Sequence, residues 1–380
     1  VPGLVNAHMH ETLDRGVFED VAFERWLYDF AFPKDRAYQA RHQRAAALLN
    51  QLEMIRGGTT TFIDIFRHPG VSAEIALQSG LRATFSPQVI ESPDGVGESF
   101  EANLAFVESW RDRQPDRIRA WFGPHSLYSC SPATYRAMAE AARRLGVGIH
   151  THLAESRYEV ETITRRQRVS PAVLLDRLVG EVPHLVAAHA VHMSDDDLAL
   201  ASARKWSVAH CPSSNMKLGN GTARVPDMMA AGITVGLGTD SNMTNNNLDM
   251  WEEMRQAALV QKLEHRDPAV LPARQALAMA TRGSATALGW GDEIGAVEVG
   301  RLADLAVVDL AHCHLWPAFA SNLEAQLVYS ASAADVRTTI VAGNVLMEDY
   351  AVLSVDPAMV EEVVHREARH LLEKAGVFGG

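Results

Sequence analysis

The chain of 380 residues is 47% hydrophobic and 22% charged, which supplies a large core and excludes a disordered polymer. Its net charge of −12 argues against a nucleic-acid partner and against an anionic membrane surface. Cys130, Cys211 and Cys313 lie far apart and give no disulfide framework, and no apolar run reaches membrane-spanning length, so a cytoplasmic location is expected.

In chain order, a first strand is expected over residues 3–8, entered so abruptly that a further segment is expected ahead of Val1. More β-rich runs follow at 59–64, 81–86, 118–122, 147–152, 185–189, 207–210 and 233–240. Amphipathic helical patterns separate them, such as 133–145 and 195–203, the second with Ser194 as its N-cap. Strands alternating with helices predict a parallel sheet of the α/β class. Eight such units favour a closed (β/α)8, TIM-like barrel over residues 1–290. An open doubly wound sheet ranks second, because no Gly-rich phosphate turn follows the first strand. The patterns at 251–261 and 275–287 read as helices that pack as core or interface. Past residue 290, hairpin patterns at 294–300 with 303–309, and at 336–341 with 343–347, predict a small, incomplete β-sandwich module over 291–356. A C-terminal helix and tail fill 357–380.

Polar residues sit where a barrel houses catalysis. Most of the predicted strands finish in His or Asp, and the C-terminal ends of barrel strands converge on one face. His8 and His10, two apart at a strand end, project to one side and can reach a common ion. His152 closes the fifth strand, and Glu155 follows three residues later, where a carboxylate that is not a ligand could move protons. His150 shares the parity of His152 one layer deeper and reads as packing. His189 ends the sixth strand and Asp240 the eighth. Each alone is equally compatible with a packed histidine or a helix-capping aspartate; together they form a specific arrangement.

Together these motifs resemble the cytosine deaminase-like branch of the amidohydrolase superfamily, and within it the S-adenosylhomocysteine/methylthioadenosine deaminases and s-triazine (atrazine-type) hydrolases. The matching stretches are Pro2-Gly3-Leu4-Val5-Asn6-Ala7-His8-Met9-His10, Asp14-Arg15-Gly16 with Trp26-Leu27, and Gly123-Pro124-His125-Ser126. They continue through the run from His150 to Glu155, His189-Ala190-Val191-His192, His210-Cys211-Pro212-Ser213-Ser214-Asn215 and Gly238-Thr239-Asp240. The resemblance implies that His8, His10, His152 and Asp240 hold one divalent metal, Zn²⁺ or alternatively Fe²⁺. It implies that Glu155 shuttles protons, and that Asp240 takes one from the attacking water. His189 would bond that water or the ring atom under attack. His125, His210, Trp26, Asp35 and Asn215 would meet a small-molecule substrate. The implied reaction is hydrolytic deamination of an amino-substituted nitrogen heterocycle, led by adenosine-type thioether nucleosides. Free purines or pterins, and s-triazines losing an amine or chloride, are the alternatives, and an inactive barrel scaffold is the non-enzymatic one. A homo-oligomer is the family's habit.

Three departures stand out. Nucleoside-deaminating relatives carry a Glu after the Trp-Leu segment, where this chain reads Phe32-Pro33-Lys34-Asp35-Arg36, so that Asp35 would have to meet the ribose. Met243 stands where relatives carry small residues, and would reshape the pocket or face solvent. Relatives also open with strands ahead of the barrel, so the small module is expected to expose an unpaired edge.

Overall fold

The computed structural model describes residues 1–17, 19–21, 25–91 and 97–376. Eight parallel strands form the barrel: β1 (Leu4–Met9), β2 (Thr59–Asp64), β3 (Arg82–Phe85), β4 (Ile118–Ala120), β5 (Ile149–Leu153), β6 (Leu185–His189), β7 (Ser207–His210) and β8 (Thr234–Leu237). They pair in order as two four-stranded halves, β1 to β4 and β5 to β8. Two seams close the ring. At one, Phe122 pairs with Ile149, and the His150 amide donates to the Phe122 carbonyl at 2.9 Å. At the other, the Asp240 amide donates to the His8 carbonyl at 3.0 Å, while Asn6 and Thr239 exchange side-chain bonds at 2.7 and 3.1 Å.

Both faces of the strands are buried, as a barrel wrapped in helices requires, and their side chains feed one dominant core. The intervening helices begin where the sequence supplies caps. Ser131, Ser170 and Ser194 each accept from the backbone three residues on. The fold is therefore the expected barrel, with strand boundaries shifted by up to three residues.

A four-stranded antiparallel sheet follows: β9 (Leu305–Val308), β10 (Val336–Val341), β11 (Asn344–Glu348) and β12 (Ala351–Val352). Residues 294–300, expected as a strand, are not one. Gly295 (φ +85°) and Gly300 (φ +94°) turn the chain in the left-handed region, and Val297 and Val299 face solvent. The alternation there was that of an exposed loop. The free edge expected on this module is partly covered: Gly3 donates to Asp304, and Val1 and Ala306 exchange backbone bonds at 2.9 and 3.1 Å. The terminal helix Pro357–Ala375 lies across helices Ala40–Arg56 and Phe32–Ala37 of the barrel; residues 377–380 of the expected tail lie outside the described residues. No helix among the described residues is long and apolar enough to cross a membrane.

The module is tied to the barrel by a buried ion pair. Arg82 on β3 donates from Nε and an Nη to the two Asp304 carboxylate oxygens at 3.0 and 3.1 Å, with both side chains essentially inaccessible. The Ala342 amide donates to the same carboxylate, and the Arg82 guanidinium stacks on Trp290. Removing one partner strands a buried charge. Asp304→Ala is therefore expected to cost about 3–5 kcal/mol in urea unfolding; a loss under about 1 kcal/mol would show that the pair is not holding the module.

Candidate active site

At the C-terminal end of the barrel the strand-end side chains meet. His8 and His10 come from β1, His152 from β5, His189 from β6 and Asp240 from just beyond β8. His10 Nε2 and His152 Nε2 lie 3.2 Å apart, and Asp240 Oδ1 lies 3.5 Å from His8 Nε2 and 3.4 Å from His10 Nε2. Ligands around an ion with bonds of about 2.1 Å at tetrahedral angles stand about 3.4 Å from one another. The four donors are thus spaced as the first shell of one metal ion. His8 Nε2 is buried without a hydrogen-bond partner, which a metal would supply.

Backbone geometry contributes to this convergence. His189 (φ +70°) and Asp240 (φ +61°) occupy the left-handed region that side-chain-bearing residues avoid, re-aiming each as its strand ends. Gly238 lets β8 approach β1: a Cβ there would stand 2.7 to 2.9 Å from His8 Cβ, O and N.

A second layer fixes the rings. His150 Nε2 lies 2.9 Å from His8 Nδ1, and its own Nδ1 lies 3.1 Å from Ser86 Oγ. His152 Nδ1 donates to the His125 carbonyl at 2.8 Å, and Ser214 Oγ donates to Asp240 Oδ2 at 2.5 Å. These bonds leave the metal-facing atoms free. His150, read as packing, is in fact the partner that orients His8. Ser214 carried no sequence signal separable from its motif.

Burial keeps the imidazoles neutral. It pushes His8 down to about 3 and His10, His125 and His150 well below the usual histidine range. Burial pushes Asp240 up, but His8, His189 and His10 outweigh it and hold the carboxylate ionised. Neutral imidazole and ionised carboxylate are the states that bind metal. Burial likewise pushes Glu155 up to about 7, a shift that a cation at the ligand cluster would oppose. Glu155 Oε1 accepts from Asn220 at 3.0 Å, and Oε2 faces His189 Nε2 at 4.0 Å. The Cys211 thiol also lies within 4.8 Å of His8 and His189 donor atoms, but burial and then Asp240 push it up well above the thiol range.

A solvent-open cleft of about 650 Å³ leads to this cluster. Trp26, Asp35, His125, His152, Glu155, His189 and Asp240 line it together with His10. His210 and Asn215, expected to meet the substrate, do not line it. Asn215 Oδ1 accepts from His189 Nδ1 at 3.0 Å, so it stands behind His189, and His210 is buried beside it. Met243 lines the wall and is buried with Phe32 and Ile90 rather than facing solvent. Lys34 also lines it, with its charge engaged internally: Nζ lies 3.1 Å from Asp14 Oδ2 and 2.9 Å from Asp35 Oδ1. Gln88 and Tyr128 were not legible, because only the folded barrel brings them to the cleft.

With this geometry in place, comparison with known proteins is informative. The profile of the amidohydrolase family matches residues 1–346. A 5-methylthioadenosine/S-adenosylhomocysteine deaminase of Moorella thermoacetica is 42% identical over 359 residues, covering 94% of this chain and 83% of that protein. A 5'-deoxyadenosine deaminase of Methanosarcina mazei is 40% identical over 378 residues, covering 98% and 87%. Among solved structures, an adenosine deaminase of Xanthomonas campestris with bound zinc superposes with a TM-score of 0.93 at 32% identity, over 98% of this chain and 85% of that one. An atrazine chlorohydrolase of Arthrobacter aurescens shares the fold, with a TM-score of 0.87 at 24% identity over 98% and 88%.

The close approach at Gly238 gives a specific expectation. Gly238→Ala should displace His8 and weaken Zn²⁺ binding by about tenfold or more, the scale of disturbing ligand orientation. Competition with a chromogenic chelator measures it; unchanged affinity would show that β8 does not set the His8 position.

Proposed function

Since the chain belongs to the amidohydrolase family, we propose that it is a mononuclear, zinc-dependent hydrolase that removes the exocyclic amino group of adenosine-type nucleosides, 5'-thioether nucleosides first among them. The observation that carries this reading is the convergence of four metal-spaced donors with Glu155 and His189 at the floor of one cleft. The spacing and the unpartnered His8 Nε2 fit a single Zn²⁺ held by His8, His10, His152 and Asp240. Such an ion supplies Lewis acidity that makes water nucleophilic at neutral pH.

The side chains do the rest. His189 Nδ1–H donates to Asn215, which leaves Nε2 as an acceptor 4.0 Å from both Glu155 Oε2 and Asp240 Oδ2. A water held between these three groups is oriented toward the ring carbon, and Asp240 accepts a proton from it. Glu155, in its protonated form, gives a proton to the adjacent ring nitrogen as the new C–O bond forms. The proton held by Asp240 passes to the amino group, the C–N bond breaks and ammonia leaves; the hydroxyl proton returns to Glu155 and a ring carbonyl remains. Removal of chloride would need the same attack but no proton on the leaving group, so the floor does not choose between them.

The wall makes that choice. Asp35 stands buried at the cleft with Lys34 holding one carboxylate oxygen, which supports Asp35 as the acceptor of ribose hydroxyls. Trp26, Phe32, Ile90 and Met243 offer an apolar wall suited to an alkylthio substituent. The named relatives at about 40% identity act on nucleosides of this kind, which favours them over bare rings. A cytoplasmic location and a homo-oligomer are part of the same reading.

Ammonia release from zinc-loaded enzyme should be highest with methylthioadenosine, S-adenosylhomocysteine or 5'-deoxyadenosine, and low with guanine, a pterin and melamine. Turnover of a bare ring with silence on the nucleosides would overturn the substrate assignment. Glu155→Gln should retain its zinc and lose about 10²–10⁴-fold in kcat, the usual worth of positioned proton transfer. Activity within about tenfold of the parent would remove Glu155 from its role.

A further inference from the structure

The antiparallel sheet carries a second group of ligating side chains outside the cleft. His312 precedes the 3-10 turn Cys313–Leu315, on which His314 lies, and Asp335 ends the turn Ala333–Asp335 before β10. Their donor atoms all lie within 4.8 Å of one another. We propose that His312, His314 and Asp335 form a surface site for a late first-row divalent ion, of the class that prefers imidazole nitrogen: Ni²⁺, Cu²⁺ or Zn²⁺.

The carboxylate is preorganised. Its side chain is 1% exposed, and Oδ2 accepts from the Ser332 amide and hydroxyl at 2.8 and 3.0 Å. Onto the carboxylate converge His312 Nδ1, 2.6 Å from Oδ1, and His314 Nε2, 3.0 Å from both Oδ1 and Oδ2. The two rings lie 25° from parallel with centroids 5.7 Å apart, so both present nitrogen to the same point. Around an octahedral or square-planar ion with bonds of about 2.1 Å, neighbouring ligands stand about 3.0 Å apart and opposite ones about 4.2 Å. The His314–Asp335 separation matches the neighbouring distance, and the 2.6 Å between His312 and Asp335 is a hydrogen bond that would open by about 0.4 Å to admit an ion. The imidazoles are 41% and 49% exposed, which leaves water to complete the shell.

The surrounding charge favours a cation. Asp309, which accepts from the Tyr350 hydroxyl at 2.9 Å, also faces His312, while Arg337 is turned toward Asp349. An ion here would join His312 to Asp335, 23 residues apart, and so clasp the connection between β9 and β10 that carries helix Leu323–Tyr329. Without an ion the two imidazoles share one carboxylate through hydrogen bonds alone, and the experiment separates these cases.

Zinc-loaded enzyme titrated with Ni²⁺ by calorimetry should bind one further equivalent. Trp316, 63% exposed and two residues past His314, should report it by fluorescence quenching. His312→Ala should weaken that equivalent at least tenfold, and His312→Ala with His314→Ala should abolish it, both with catalytic zinc content and turnover unchanged. Trp316→Phe should keep the equivalent and lose most of the quenching. No Ni²⁺ equivalent beyond the zinc, or one that survives in His312→Ala at full affinity, would overturn the proposal.

Discussion

The barrel's closure is the constraint on which the site depends. His8 and Asp240 stand on opposite sides of the β1–β8 seam, and His152 comes from the other half of the ring. No two of these strands bring the donors together unless both seams are formed. The backbone bond from Asp240 to His8 and the missing Cβ at Gly238 therefore act on the metal donors directly, because they set the distance between the first and last strands. Closure and ligand geometry are one event.

Such a floor is costly to maintain. Five histidines, His8, His10, His150, His152 and His189, and two carboxylates, Glu155 and Asp240, are removed from water there, and each isolated polar atom would weigh against folding. The structure meets this with a shell of paired groups: His150 and Ser86 behind His8, the His125 carbonyl behind His152, Asn215 behind His189, Asn220 on Glu155 and Ser214 on Asp240. Among the atoms left unpaired, His8 Nε2 and His189 Nε2 point to where the chemistry is proposed. The unsatisfied atoms are thus a consequence of function rather than a defect of packing.

How much of this was legible follows from the same physics. The β-rich runs and their polar ends could be read in order because ligating side chains are chemically distinctive and parity fixes which way they project. The barrel followed from counting units. Residues 294–300 misled because an exposed Val-Glu-Val alternation has the same period as a strand, and only the glycine turns distinguish it. His210 and Asn215 belong to a readable motif, yet whether a motif residue faces the cleft or stands behind another side chain is a tertiary fact. Lys34 lies in the stretch where nucleoside-deaminating relatives carry a Glu; of its two partners Asp35 is adjacent, but Asp14 is twenty residues away in sequence and only the fold pairs them.

The wall of the cleft obeys a different rule from its floor. The floor belongs to the barrel strands, but Phe32, Ala31, Ile90 and Met243 form a small cluster of their own, closed from outside by Leu372 of the terminal helix. These residues come from the connections after β1, β3 and β8 and from the C-terminal helix. A substitution there changes the shape offered to a substrate without disturbing seam, ligands or proton carriers. In this chain Met243 and the Lys34–Asp35 pair are the residues through which the proposed preference would be expressed.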